Sequence, residues 1–333
     1  MNAIIDTRGK EIFKVFPRLL ETLIMDNTTN RSLIWASKNY IKQGPGYGEK
    51  DHIRISLITG RLSNVIKPRI IKSKIDQRKR SRDMAEVFTP SWICNSQNNL
   101  IDQAWFGYNC AFNIEKSHTW EPTATVIFPE GKSWKEYVKD VRLEITCGEA
   151  PYLVSRYDTV SGDLIEIAKR IGLLDRKLRV INENVSTEQE WIEWVETAFK
   201  SVYGYDFQGD NVLIARENLL FTYIDYYTSR FDSYPSESQL QNIANIISWN
   251  IWQMDGLKYV VPFSCKSDPA FQQSLQLVFE TEELCDTEKI VDQVFCQGCK
   301  TGDNSRHNGK YSYIMDWEKN KKIKFTSLLK GNY

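Results

Sequence analysis

The sequence predicts an α/β fold, a sheet with helices on both faces preceded by a helical N-terminal region. From about residue 85 to 265, strand-like segments alternate with helical ones, which is the chain order of a sheet covered by helices. Ahead of them, Ile12, Phe13, Val15, Phe16, Leu19, Leu20, Leu23 and Ile24 fall near helical spacing, so residues 1 to about 50 read as helical. No apolar run approaches the roughly 20 residues that span a bilayer, and Met1 to Lys10 carries charge without an apolar core, which excludes a signal peptide at that position.

With 333 residues the chain is long enough for one large domain or two smaller ones, and 41% hydrophobic with 26% charged residues is ordinary for a globular protein. Seven scattered cysteines, an odd number, point to a reducing cytoplasm rather than a disulfide framework. Lysines plus arginines number 43 and acids 43, so no global charge signals nucleic acid. Locally, Lys67, Arg69, Lys72, Lys74, Arg78, Lys79, Arg80 and Arg82 form a basic stretch. It reads either as a phosphate-neutralising surface or as a solvated helix face.

In chain order, Gln43 to Gly48 is a loop. A helix starts near Ser91, with Thr89 and Ser91 as capping candidates and Trp92, Ile93, Leu100 and Ile101 facing inward. Ser133 caps a short helix through Val138, and Arg142 to Ile145 follows as a strand. Thr187 and Glu190 have capping-box spacing ahead of an apolar face of Trp191, Ile192, Val195 and Phe199. Ser201 to Tyr205 is strand-like, and Asn211 to Tyr227 is helical, with Val212, Leu213, Leu219, Leu220 and Ile224 apolar. Val260 to Phe263 and Gln276 to Phe279 are candidate strands. Tyr311 to Trp317 and Lys322 to Phe325 form a hairpin. The expected organisation is a helical, basic region over 1–82, an α/β domain over 83–265 and a C-terminal extension over 266–333 that ends in the hairpin.

Several motifs carry chemistry. Glu144-Ile145-Thr146-Cys147-Gly148-Glu149-Ala150 is a strand running into a glycine turn, which lets backbone approach a ligand at a strand's carboxyl end; an ordinary strand-to-helix turn is the plainer reading. Glu86-Val87-Phe88-Thr89-Pro90 opens a helix, and a Thr-capped start alone leaves Glu86 and Phe88 unexplained. Asp206, closing Tyr203-Gly204-Tyr205-Asp206, is a strand-end acid that can accept hydrogen bonds or cap a turn. Asp255-Gly256 offers a carboxylate acceptor or simply a turn. Cys296-Gln297-Gly298-Cys299, with His307 downstream and Cys285 upstream, is a candidate zinc set, but only one Cys-x-x-Cys is present and free thiols are the simpler reading.

Taken in order, these segments resemble the adenine-specific DNA methyltransferases of restriction-modification systems, over roughly residues 60 to 330. The first matches the family's Gly/Ala-Glu-x-Phe/Tyr-Thr-Pro pattern, and the second its Cys-Gly-containing turn through Glu144, Cys147, Gly148, Tyr152 and Leu153. The third matches Ile-Tyr-Gly-x-Asp followed by a helix with Ala215-Arg216. The resemblance implies a Rossmann-like sheet, S-adenosylmethionine as cofactor, and methyl transfer to N6 of adenine in duplex DNA. It places Glu86, Phe88, Thr89 and Pro90 at the methionine end. Glu144, Thr146, Cys147, Gly148 and Ala150 lie beneath it, Asp206 at the ribose and Asp255 at the adenine. The chain departs from the family at Ala150, which replaces the second glycine, and at Pro151. It contains no Pro-Pro, so the Asn-Pro-Pro-Tyr tetrapeptide that holds a flipped base is missing. The nearest approach is Asp268-Pro269-Ala270-Phe271, which makes Asp268 and Phe271 the catalytic candidates. The expectation is therefore the cofactor-binding half of a split or truncated enzyme, with a second polypeptide supplying the tetrapeptide. The alternative is a non-catalytic, methyltransferase-like binding or regulatory subunit. Either is expected in the cytoplasm and away from membranes.

Overall fold

The computed structural model describes residues 11–266 and 296–329. Pro17 opens the first helix, α1 (Pro17–Ile24), where its missing N–H would be unpaired anyway, and Leu19, Leu20, Leu23 and Ile24 are buried. The helical region expected over residues 1 to about 50 is, among the described residues, broken into helix at 11–15, α1 and a short 3-10 helix further on. Apolar periodicity ends at Ile24, and Asp26 then turns the chain by accepting the amides of Thr28 and Thr29, each at 3.1 Å. Strands β1 (Met25–Asp26) and β2 (Arg31–Ser32) pair across that turn, and Lys38–Gln43 is a 3-10 helix.

Ser73 caps α2 (Lys74–Met84), and α3 spans Ser91–Phe106. Neither Thr89 nor Ser91 caps α3 with its side chain. The Ser91 amide instead donates to Asp158 Oδ2 at 2.6 Å, from a loop distant in sequence. Leu100 and Ile101 face outward, and the buried face is largely polar: Cys94, Asn95, Asn98 and Asp102. That inversion follows from Arg176, buried opposite, which ion-pairs with Asp102 and donates to Asn95 Oδ1 at 2.8 Å. A buried guanidinium requires such partners.

Strands β3 (Asn113–Lys116) and β4 (Thr119–Pro122) form a hairpin. Ser133 and Glu136 make the capping box of α4 (Trp134–Lys139). Then follow β5 (Arg142–Glu144), α5 (Leu173–Asn184), α6 (Glu188–Lys200) capped by Thr187, and β6 (Val202–Asp206). Next come α7 (Gly209–Phe231), α8 (Glu237–Asn250) with a Ser236–Gln239 capping box, and β7 (Ile251–Gln253). The described C-terminal part has α9 (Gln297–Thr301), the expected hairpin of β8 (Tyr313–Asp316) and β9 (Lys321–Lys324), and α10 (Phe325–Leu329).

The fold is mixed α/β. Its central sheet has the order β5-β6-β7, all parallel, with Glu144 opposite Gly204 and Asp206 opposite Gln253. Side chains alternate across it. Val202 and Ile251 enter the main core beside Leu19, Trp35, Leu178, Trp191 and Leu219, so the N-terminal segment and the helices share one interior. Tyr205 and Trp252 point the other way, onto Ile314 and Phe325. Helices on both faces are therefore not what the described residues show: the second face carries the β8–β9 hairpin and one helical turn. Nor is a larger Rossmann-like sheet present among them. Val260 to Phe263 is not a strand. Val260 makes single bridges to Asp255 and Tyr311, and Phe263 has a left-handed φ of 58°. Gln276 to Phe279 lies outside the described residues. Among those described, no helix is long and apolar enough to cross a membrane.

Candidate cofactor site at the carboxyl edge of the sheet

Strands β5, β6 and β7 end side by side at Glu144, Asp206 and Gln253, the edge at which open α/β sheets bind ligands. After Glu144 the chain folds into a tight turn in which Thr146, Gly148 and Ala150 all have left-handed φ, at 48°, 53° and 63°. The Cys147 amide donates to the Tyr205 carbonyl at 2.8 Å, which fixes the turn on β6. The Gly148 amide is thereby aimed at Asp206, donating to Oδ2 at 3.0 Å, while Oδ1 accepts the Gln208 amide at 2.8 Å. Burial pushes the Asp206 carboxyl up to about 6, against the pull of those two amides. Oδ1 also takes Asn211 Nδ2 at 3.5 Å, so the lone pair left for a further donor is on Oδ2.

The 85–90 segment meets the same turn. A Cβ on Gly148 would stand 3.5 Å from Cζ of Phe88, so the ring lies against the glycine. The Arg69 guanidinium sits 5.1 Å from the Phe88 ring centre. Glu86 is buried and accepts from Arg80 Nε at 2.7 Å, Gln208 Nε2 at 3.2 Å and Asn211 Nδ2 at 3.3 Å. Burial pushes Glu86 up, but Arg80 outweighs it and holds the carboxyl below its ordinary range. Arg80 also donates to Asp210 Oδ2 at 2.7 Å, and Asp210 takes Lys72 Nζ at 3.3 Å and Tyr40 Oη at 2.6 Å. Despite its burial, the Arg80 and Lys72 charges hold Asp210 far below the usual carboxylate range. The basic stretch is thus divided. Arg69, Lys72 and Arg80 turn inward to pair with acids, and Lys74, Arg78 and Arg82 remain exposed.

The remaining candidates have structural partners. Glu144 is buried, is pushed well up by that burial, and accepts the amides of Tyr152 and Leu153 at 3.4 and 3.2 Å, pinning the chain beyond the turn. The Thr89 carbonyl accepts the Thr159 hydroxyl at 3.1 Å, and Pro90 is the N-cap residue of α3. Thr146 is exposed, whereas Cys147 and Ala150 are buried. Asp255 closes its own turn, accepting the Leu257 amide at 3.1 Å, and pairs with Lys258 at 3.4 Å. It also lines a cavity of about 300 Å³ with Lys50, Phe207, Val260 and Phe263, beginning one residue beyond Asp206. Phe207 and Phe263 meet edge to face at 5.6 Å. Asp268 and Phe271 lie outside the described residues. Cys296 and Cys299 line the same cavity, and His307 Nδ1 lies 3.3 and 3.7 Å from their sulfurs; Cys285 lies outside the described residues.

Sequence reasoning did not single out Phe207, Gln208, Asp210, Asn211 or Cys265. Phe207 was legible as the residue following the strand-end acid, and Asp210-Asn211 as polar residues on the first turn of a helix. The pairing of Arg80 with Glu86, on the next segment, and with Asp210, 130 positions away, left no local signal. No family model matches the chain, nor does any curated protein or any solved structure. The arrangement itself supplies binding chemistry: a buried carboxylate that accepts hydrogen bonds, a glycine turn at the strand edge, and an aromatic-walled cavity that begins one residue beyond that carboxylate.

Proposed function

We propose that this chain binds S-adenosylmethionine and serves adenine-N6 methylation of DNA, as the cofactor half of a two-polypeptide enzyme in a restriction-modification or phage-defence setting. One observation carries the reading. Three segments far apart in sequence, around Phe88, Gly148 and Asp206, converge on the carboxyl edge of a parallel sheet, in the order that the resemblance requires. Phe88 and the Gly148 turn would border the methionine end, Asp206 would accept from the ribose hydroxyls, and the Phe207–Phe263 cavity with Asp255 would take the adenine. The cofactor supplies an electrophilic methyl group; the chain's residues hold and orient it.

Support for a second polypeptide is independent of that pocket. The sequence lacks Pro-Pro. Among the described residues no strand pairs with the outer edge of β5, and Leu143 and Ile145 beside it are 43% and 62% exposed. An open strand edge with apolar neighbours is the kind of surface to which another strand adds. For DNA, exposed Lys74, Arg78 and Arg82 line a shallow groove with Arg69, suited to phosphates.

A second reading is favoured by the enclosure of Asp206, 7% exposed, and by a buried Cβ at Ala150. On that reading the chain is a methyltransferase-like regulatory subunit that does not support transfer. A labelled-cofactor assay on duplex DNA, with and without the product of the adjacent reading frame, separates the two. Label in adenine only with both polypeptides supports the split enzyme. Cofactor binding without transfer under either condition supports the regulatory subunit. Transfer by this chain alone refutes the split and points to Asp268 and Phe271.

A further inference from the structure

The described residues contain a group of four metal-ligating side chains: Cys265, Cys296, Cys299 and His307, whose ligand atoms all lie within 4.8 Å of one another. His307 Nδ1 faces all three sulfurs, at 3.6 Å from Cys265 Sγ, 3.3 Å from Cys296 Sγ and 3.7 Å from Cys299 Sγ. A tetrahedral zinc ion at about 2.3 Å from sulfur and about 2.0 Å from nitrogen requires an N···S separation of about 3.5 Å, in the middle of that range. We propose that Cys265, Cys296, Cys299 and His307 hold a structural zinc ion.

The backbone around the cluster is shaped for it. A Cβ on Gly298 would lie 2.6 Å from His307 Nδ1, and one on Gly309 would lie 2.9 Å from Cys265 Sγ, so both positions must stay bare for the ligands to converge. The Cys299 amide donates to Cys296 Sγ at 3.4 Å, a backbone bond to sulfur of the kind that steadies a metal-bound thiolate. With Nδ1 on the metal, Nε2 carries the ring proton. Cys94, Cys110 and Cys147 lie outside the group, so the clustering is not a general property of the thiols.

Three thiolates and one imidazole form a soft set suited to zinc, and four protein ligands leave no open position, which makes the site structural rather than catalytic. The ion would clamp Cys265, after β7, to α9 and to the segment leading into the β8–β9 hairpin. Cys265 and Cys296 stand at the two ends of residues 267–295, which carry Asp268 and Phe271. Cys265, Cys296 and Cys299 also wall the cavity that holds Phe207 and Asp255. The ion would therefore fix one side of that cavity and both ends of that segment, whatever the cavity binds.

The test is elemental analysis of the full chain purified under reducing conditions, followed by cobalt replacement. The expected result is about one zinc per chain. Cobalt should give the intense visible bands of a tetrahedral site and sulfur-to-metal charge-transfer absorption. Cys299→Ser and His307→Ala should each lose at least tenfold in zinc affinity, and Cys110→Ser should keep the metal. Because the cobalt spectrum is read on the wild-type chain, misfolding of a variant does not decide the matter. Metal-free protein that takes up neither zinc nor cobalt, a Cys296–Cys299 disulfide in the freshly purified chain, or an octahedral cobalt spectrum overturns the proposal.

Discussion

The Gly148 amide donates to Asp206 Oδ2 across 3.0 Å, joining residues 58 positions apart and locking the glycine turn to the end of the neighbouring strand. That bond makes Asp206 both a structural anchor and the acceptor proposed for the ribose, and burial gives it a titration near about 6.

Binding of S-adenosylmethionine should therefore depend on pH. Ribose hydroxyls donate to the ionised carboxylate, so affinity should fall as pH drops through about 6, by up to tenfold per unit. For stability the sign is opposite. The folded pKa lies above the unfolded value of about 3.9, so this group's contribution is most favourable below about pH 4 and is lost as pH rises through about 6. Asp206→Asn should flatten both profiles, as read by dialysis of labelled cofactor and by urea unfolding at a series of pH values.

Arg80 compensates two buried acids, Glu86 and Asp210, at 2.7 Å each. Arg80→Met should cost about 3–5 kcal/mol in urea unfolding, because removing one partner strands buried charge. Adding Asp210→Asn and Glu86→Gln should recover much of that loss. A cost below about 1 kcal/mol would show that the ion cluster is not formed in solution.

Thr146 is exposed and β-branched yet has a φ of 48°, a conformation that disfavours any side chain and β-branched ones most. Thr146→Gly should raise stability by about 0.5–1 kcal/mol in thermal or urea unfolding, since relief of strain outweighs the added freedom of the unfolded chain.

Gly209 begins α7 against the N-terminal segment, and a Cβ there would meet the Ile34 carbonyl oxygen at 2.0 Å. Gly209→Ala must push apart two backbones and should cost about 1–3 kcal/mol, visible as a lowered Tm. An unchanged Tm would mean that residues 33–36 do not pack on this helix.

Much of the secondary structure was legible because its signals are local. Ser133, and Thr187 with Glu190, announced helix starts, and the run Ser201 to Tyr205 announced a strand. The Ser236–Gln239 capping box was equally local, and α8 behind it went unread. What escaped were long-range choices. Asp158 caps α3, Arg176 turns that helix's polar face inward, and Cys265 joins Cys296 and Cys299 from before residues 267–295. The three ordered segments, far apart in sequence, do meet at the carboxyl edge of the sheet. The pairing of Arg80 with Glu86 and Asp210, which holds one of those segments in place, became visible only in three dimensions.

Equilibrium dialysis of the purified chain against labelled S-adenosylmethionine at about pH 7.5, well above the Asp206 titration, tests the central claim most directly. Saturable binding at about one site per chain is predicted, weakened at least tenfold by Asp206→Ala and by Phe88→Ala in variants whose unfolding remains cooperative. No saturable binding, or binding unchanged in both variants, would contradict the account.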